Sequence, residues 1–161
     1  MFLLAGLIKG AQHRLSARVA HAHCDIPCGI YDPHQAQLAA LTVIRMNQLI
    51  EGLNAPTADS SPEERFAFVA SLERYVTVKE EHAELCKKEL RILWGDYFKP
   101  DHLQQVPDLH DLFWEAMRFA SAARQKNDMD AAQKLLASVQ GIAEAFWTTK
   151  GASSTRQPSR Q

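Results

Sequence analysis

The chain has 161 residues, 46% of them apolar and 23% charged, which suits one globular domain with tails. With 18 basic and 19 acidic side chains the net charge is −1, which excludes the concentrated positive face of a nucleic-acid binder or a polybasic membrane clamp. Three cysteines are too few, and odd in number, for a disulfide framework, and no apolar run approaches the roughly 20 residues of a membrane span, so the cysteines, if they matter, matter as thiols.

Residues 1–22 carry Lys9, Arg14 and Arg18, no acid, and the apolar stretch Phe2-Leu3-Leu4-Ala5-Gly6-Leu7-Ile8. Ala20-His21-Ala22 fits the small-x-small pattern before a cleavage point, so a secretory signal is one reading. The apolar stretch is short, however, and Lys9-Gly10-Ala11-Gln12-His13-Arg14 intervenes where a signal peptide is still apolar. An amphipathic pro-segment, removed by a protease, is the preferred reading. Residues 23–150 read as globular, and residues 151–161 as a polar, disordered tail.

The globular part reads as helices. Asp32-Pro33-His34-Gln35 is a helix start, with an N-cap acceptor, Pro at the first helical position and Gln where a capping box needs it. Ala36, Ala40, Val43, Met46, Ile50 and Leu53 then recur at spacings of three and four, and Asn54-Ala55-Pro56 breaks the stripe. Ser61-Pro62-Glu63-Glu64 is a second start, followed by Phe66, Val69, Leu72, Val76, Ala83, Cys86, Leu90 and Leu93, with Gly95 and Pro100 bracketing the end. Pro107-Asp108 opens a third helix with Leu109, Leu112, Phe113, Ala116 and Ala120 on one face. Asp128 or Asp130 opens a fourth, with Ala132, Leu135, Val139, Ile142 and Phe146. No stretch alternates with period two. The fold class is therefore all-α, an antiparallel four-helix bundle preceded by an N-terminal metal-binding hook.

That hook is His23-Cys24-Asp25-Ile26-Pro27-Cys28-Gly29-Ile30-Tyr31-Asp32-Pro33. Two thiols four residues apart, with Pro and Gly beside them, form a compact loop that brings both sulfurs to one metal. Thiolates select soft or borderline metals, and added nitrogen ligands allow tetragonal geometry, which points to Ni(II) or Cu(II). By the spacing alone a buried or bystander pair is the commoner reading; the position of the pair raises the metal-binding one. A cut after Ala22 would make His23 the N-terminus. Its free amine, the deprotonated Cys24 amide and the Cys24 sulfur then form two fused chelate rings, Cys28 fills the fourth corner of the plane, and the His23 imidazole stands where it can cap it.

His-Cys-Asp-x-Pro-Cys-Gly-x-Tyr-Asp-Pro resembles the nickel hook of the nickel-containing superoxide dismutases. The similarity continues at Leu93-Trp94-Gly95-Asp96-Tyr97-Phe98-Lys99-Pro100, at Pro107-Asp108-Leu109-His110 and at Phe146-Trp147-Thr148-Thr149-Lys150, so it spans about residues 23–150. The family's precursors also carry a segment whose removal exposes the histidine.

The resemblance implies a four-helix-bundle subunit in a homohexamer, one nickel ion per subunit, and disproportionation of superoxide to dioxygen and hydrogen peroxide. Carried over by position, the metal ligands are His23 through its amine and imidazole, Cys24 through its amide nitrogen and thiolate, and Cys28 through its thiolate. Thiolates and an anionic amide donate the charge that brings the Ni(II)/Ni(III) couple into range of both half-reactions. Tyr31 and Tyr97 are expected beside the open axial face, where their phenols restrict access and relay protons. Asp25 is a further catalytic candidate, and Lys99 a helper that attracts the anion. The sequence departs from the family where a glutamate in the first helix and an arginine in the second support the axial imidazole, for the aligned positions are Ala39 and His82. His82 is therefore expected to contact the His23 ring directly or through water.

Other features read as structural. Cys86 lies on an apolar stripe as a packed small hydrophobe. His34, His102 and His110 have no mutual metal-ligand spacing, and His110 reads as a helix-start or interface residue. Trp94, Trp114 and Trp147 read as core or subunit contacts, and no Glu-x-x-His pair offers a carboxylate di-iron centre. The alternative to an enzyme is a non-catalytic metal carrier or sensor using the same hook for nickel, copper or zinc, or an interaction bundle with an incidental Cys pair. Tyr31 and Tyr97 disfavour the former, and the Ala22/His23 boundary the latter. The expected partners are superoxide, further copies of the chain and a maturation protease, with neither nucleic acid nor membrane. Free thiolates favour the cytoplasm, with export the alternative if residues 1–22 are a signal peptide.

Overall fold

The computed structural model describes residues 29–152. The expected hook ligands His23, Cys24 and Cys28, together with Asp25, the segment 1–22 and most of the tail, lie outside the described residues. Four helices follow one another: α1 His34–Glu51, α2 Pro62–Ile92, α3 Leu109–Gln125 and α4 Met129–Thr149. Among the described residues there is no strand.

At three of the four starts a side chain accepts from a backbone amide of the first turn. Asp32 Oδ1 accepts from the His34 amide at 2.8 Å. Ser61 and Glu64 form a full capping box, with Ser61 Oγ accepting from the Glu64 amide at 3.2 Å and the Glu64 carboxylate accepting from the Ser61 amide at 2.7 Å. Asp128, not Asp130, caps α4, accepting from the Ala131 amide at 2.9 Å. At α3 the N-cap is Asp108, as its sequence suggests, but its side chain makes no capping bond.

The packing is that of an antiparallel bundle, with α1 and α3 each lying against α2 and α4. Two layers fix the directions. At one end, Ala36, Ala39 and Ala40 of α1 pack in one core with Cys86 and Leu90 of α2, Leu109 and Phe113 of α3, and Ile142 and Phe146 of α4. At the other, Val43 meets Ala83, Ala123, Ala131 and Ala132. The second end carries the buried polar side chains Asn47 and Lys79, which reach the α3–α4 turn. Lys79 Nζ donates to the Lys126 carbonyl at 2.7 Å, and Asn47 Nδ2 to the Asp128 carbonyl at 3.2 Å.

One feature differs from the sequence reading. The apolar stripe of α2 was expected to begin at Phe66, yet Phe66 is 76% and Val69 60% exposed, and the first buried residue of α2 is Lys79. The reason is length: α2 has 31 residues against 18, 17 and 21 for its partners, so its first turns overhang the bundle. The overhang is tied down locally, because Arg65 donates to the carbonyls of Thr57, Ala58 and Ser60 and draws the α1–α2 connection onto the helix. Trp114, read as a core or subunit contact, is 62% exposed and no part of the core of this chain.

The end of α2 positions the site. The helix widens into a π-helical turn, Leu93–Tyr97, before the chain extends at Phe98 and enters a 3-10 turn, Pro100–Gln104. The Phe98 amide bonds to the Leu93 carbonyl at 3.0 Å, an i→i+5 closure. It brings Leu93 and Phe98 onto one buried face, although an α-helical period would separate them. Tyr97 is left half-buried at the rim.

Candidate active site

Tyr31 lies inside the hook motif, three residues before α1 begins at His34. Just before it, Gly29 has φ +87, a left-handed conformation that strains any residue with a Cβ, which accounts for the glycine after Cys28. The Tyr31 ring packs against the core and meets the edge of Tyr97, with ring centroids 5.6 Å apart and planes at 60°. Residues 66 positions apart in sequence thus form one aromatic wall at the end of the bundle where α1 begins.

Tyr97 is held on several sides. Its ring centroid is 4.4 Å from that of Phe146, 4.9 Å from Phe98 and 5.6 Å from His102. The His102 ring is fixed in turn, its Nδ1 accepting from the Lys99 amide at 3.2 Å. The Tyr97 hydroxyl lies 2.7 Å from Thr149 Oγ1. Over the ring face, 5.1 Å from the centroid, stands the ammonium of Lys150, which also covers Phe146 at 5.7 Å.

The remaining expected residues are distributed as follows. The Lys99 ammonium is exposed and donates to the Asp96 carbonyl at 2.9 Å, while Lys150 brings a second cation onto Tyr97 itself. His82 is half-buried on α2, with Nδ1 2.8 Å from the Val78 carbonyl. A carbonyl only accepts, so a neutral His82 ring carries its proton on Nδ1 and offers Nε2 as the free acceptor. Ala39 is 1% exposed within the core. Cys86 is fully buried there, and desolvation, with a smaller contribution from Glu89, pushes its thiol up to about 12, so it stays protonated and inert. Trp94 Nε1 donates to His110 Nδ1 at 2.9 Å and stacks on Phe113, which accounts for His110 structurally.

Among the described residues no group of three or more His, Cys, Asp or Glu side chains is placed to hold a metal ion. The donors that suit a thiolate-rich centre are those of residues 23–28. Thr149, Lys150 and His102 are site neighbours to which the sequence pattern assigned no role. The segment containing Thr149 and Lys150 is one of those carrying the family resemblance, which was the available signal.

Comparison with known proteins agrees with this arrangement. The family model described as nickel-containing superoxide dismutase matches residues 18–150. The chain is 37% identical over 131 residues to the superoxide dismutase [Ni] of Streptomyces coelicolor (strain ATCC BAA-471 / A3(2) / M145), covering 81% of this chain and 90% of that relative. It is 38% identical, with the same coverage, to the superoxide dismutase [Ni] of Streptomyces seoulensis. Among solved structures, native nickel superoxide dismutase at 1.30 Å superposes with a TM-score of 0.68 at 36% identity, covering 81% of this chain and 100% of that one. A nickel-containing superoxide dismutase with nickel ligation corresponding to the oxidised state gives 0.68 at 37% identity over the same shares.

Proposed function

The chain belongs to the nickel-containing superoxide dismutases, and from that premise we propose that His23, Cys24 and Cys28 hold the nickel while Tyr31 and Tyr97 form the wall past which superoxide reaches it. The observation that supports this most directly is the Tyr31–Tyr97 contact, because Tyr31 follows Cys28 by three residues. Nickel, when bound, alternates between Ni(II) and Ni(III), so that two superoxide ions and two protons become one dioxygen and one hydrogen peroxide. The donor set fits that task. Two thiolates and a deprotonated amide supply negative charge, and the amine and imidazole of His23 complete the sphere once cleavage after Ala22 has freed the amine.

The chain's other residues guide the anion and exclude larger molecules. The two tyrosine rings narrow the approach, and the ammonium groups of Lys150 and Lys99 attract the negative substrate over short range. Asp25, inside the hook, acts beside the ligands. His82 supports the His23 ring through its free Nε2, in place of a carboxylate that Ala39 cannot provide. His82→Ala would then alter both the axial-nitrogen splitting of the Ni(III) spin-resonance signal and turnover; no change in either would sink this role.

Assembly and location belong to the same reading. The subunits associate as a homohexamer, a maturation protease removes residues 1–22, and the enzyme works in the cytoplasm without nucleic-acid or membrane partners. The exposed Phe66 and Val69 on the α2 overhang, and exposed Trp114, are apolar surface suited to subunit contact. Among the described residues no helix is long and apolar enough to cross a membrane. Export is the alternative if residues 1–22 are a signal peptide, and fractionation of the host separates the two.

The deciding experiment is intact mass and metal analysis of protein from a nickel-replete host. A mature chain starting at His23, with one nickel per subunit and a rhombic Ni(III) signal, is expected. Uncut protein that still dismutates superoxide would overturn the ligand assignment.

A further inference from the structure

The 2.7 Å contact between Tyr97 and Thr149 could be donated from either oxygen until the second bond of Thr149 is counted. Thr149 Oγ1 also lies 2.8 Å from the backbone oxygen of Phe146. That carbonyl accepts and has no proton to give, and a hydroxyl has one proton. The Thr149 proton therefore goes to Phe146, and Tyr97 is the donor to Thr149. The acceptor is rigidly placed, since Phe146 O closes the last turn of α4 by also taking the Lys150 amide at 3.2 Å. The phenol is equally constrained, its ring held between Phe98, Phe146 and His102.

We propose that Thr149 is a positioning residue for the dismutation, one that takes up the Tyr97 hydroxyl proton in a fixed bond and so presents the phenol to the site as a hydrogen-bond acceptor. The inference rests on the placement of Tyr97 beside the nickel site. An acceptor oxygen at the rim holds water or the protonated peroxide product, both of which have protons to donate. It repels the superoxide anion, which a free phenol would instead bind away from the metal. The chain Tyr97→Thr149→Phe146 also ends on a carbonyl, so no proton reaches Tyr97 through α4. At this position the tyrosine orients proton donors and does not draw protons through the helix.

The test compares Thr149→Val, which keeps the shape and loses the hydroxyl, with Thr149→Ser, which keeps the hydroxyl, and with Tyr97→Phe. The intensity ratio of the tyrosine Fermi doublet in ultraviolet Raman spectra reports whether a phenol donates or accepts. Subtracting the Tyr97→Phe spectrum isolates Tyr97 in the full-length, metal-free chain. A donor signature is expected in the wild type and in Thr149→Ser, and its loss in Thr149→Val. In the processed, nickel-loaded enzyme Thr149→Val should lower kcat about three- to tenfold, the effect of losing one neutral hydrogen bond, and Thr149→Ser should rescue it. A donor signature that persists in Thr149→Val, or one that is lost while kcat holds, overturns the proposal. If Tyr97→Phe is itself fully active, the placement of Tyr97 at the nickel site fails, and the role of Thr149 with it. Loss of activity in Tyr97→Phe beside unchanged Thr149→Val would overturn the role of Thr149 alone.

Discussion

Replacing Phe146 by alanine removes a ring that is 0% exposed and joins the core to the aromatic wall. Phenylalanine-to-alanine changes in cores cost about 3–5 kcal/mol, from lost burial plus the cavity left behind. Here the ring also packs at 4.4 Å against Tyr97 and edge-on at 4.9 Å against Trp147, and aromatic pairs add about 0.5–1.5 kcal/mol beyond area. The cost should therefore fall at the upper end, about 4–5 kcal/mol, a large share of the 5–15 kcal/mol typical of a domain. With a urea m-value of about 2 kcal/mol/M the unfolding midpoint drops by about 2 M, readable by circular dichroism. Tyr97, half-buried at the rim, is the neighbour free to swing into the hole, so activity should fall in parallel. Phe146→Leu fills most of the space and should cost about 1.5 kcal/mol. A loss under about 2 kcal/mol for Phe146→Ala would refute the reasoning, because it would mean that the neighbouring side chains refill the space and the ring adds little to the core.

Cys86 has its thiol raised to about 12 from 9.0, so the folded state holds a proton that the unfolded chain releases. Stability from this group is complete below pH 9 and falls by about 1.4 kcal/mol per pH unit above it; a difference between wild type and Cys86→Ala that stays flat from pH 8 to 10 would contradict this. Arg91, with smaller contributions from Lys87 and Arg124, holds the Glu84 carboxyl below its usual value. That contribution is present above the unfolded value of 4.5 and disappears as pH falls through the lower folded one. Because the pairs are almost half exposed it is worth at most about 1 kcal/mol, and Glu84→Gln should match wild type in urea midpoints at about pH 3 and in high salt. Ser61→Ala breaks a capping box worth about 1 kcal/mol, but on an overhang that no partner helix among the described residues covers. Amide exchange should accelerate over residues 62–70 while the global midpoint moves little; a large midpoint shift would show the overhang to be part of the core unit.

The starts of α2 and α4 were legible because each is a local transaction: Ser61 with Glu64, and Asp128 with Ala131, lie three residues apart. The burial of Cys86 was legible from the apolar period. The overhang of α2 was not, since a stripe such as Phe66–Val69 records a face but not whether a partner helix is long enough to cover it. The π turn was hidden for a related reason, its i→i+5 closure leaving no mark in a period of three and four. Within the site, the motif that identifies the chemistry is contiguous and could be read directly. The bond between Tyr97 and Thr149 joins residues 52 apart, and neither residue type announces it.

The bundle and the hook divide the work in a way that explains this unequal legibility. Thiolate, amide and amine donors to one metal need a short chain segment with a free end, and no helix can offer its own amide nitrogens while they close helical bonds. The bundle supplies what a short segment cannot, an aromatic wall drawn from Tyr31, Tyr97 and the end of α4 at Phe146. The end of the bundle furthest from that wall, about 30 Å away along α4, is fastened by Lys79 and Asn47 to the α3–α4 turn. Burial lowers the proton affinity of Lys79, yet its ammonium finds a partner in the Lys126 carbonyl at the start of the turn. Among the described residues two of the three buried polar side chains, Asn47 and Lys79, thus lie at the end that fastens the turn, while Gln37 is buried towards the other end, where the rings of Tyr31, Tyr97 and Phe146 cluster.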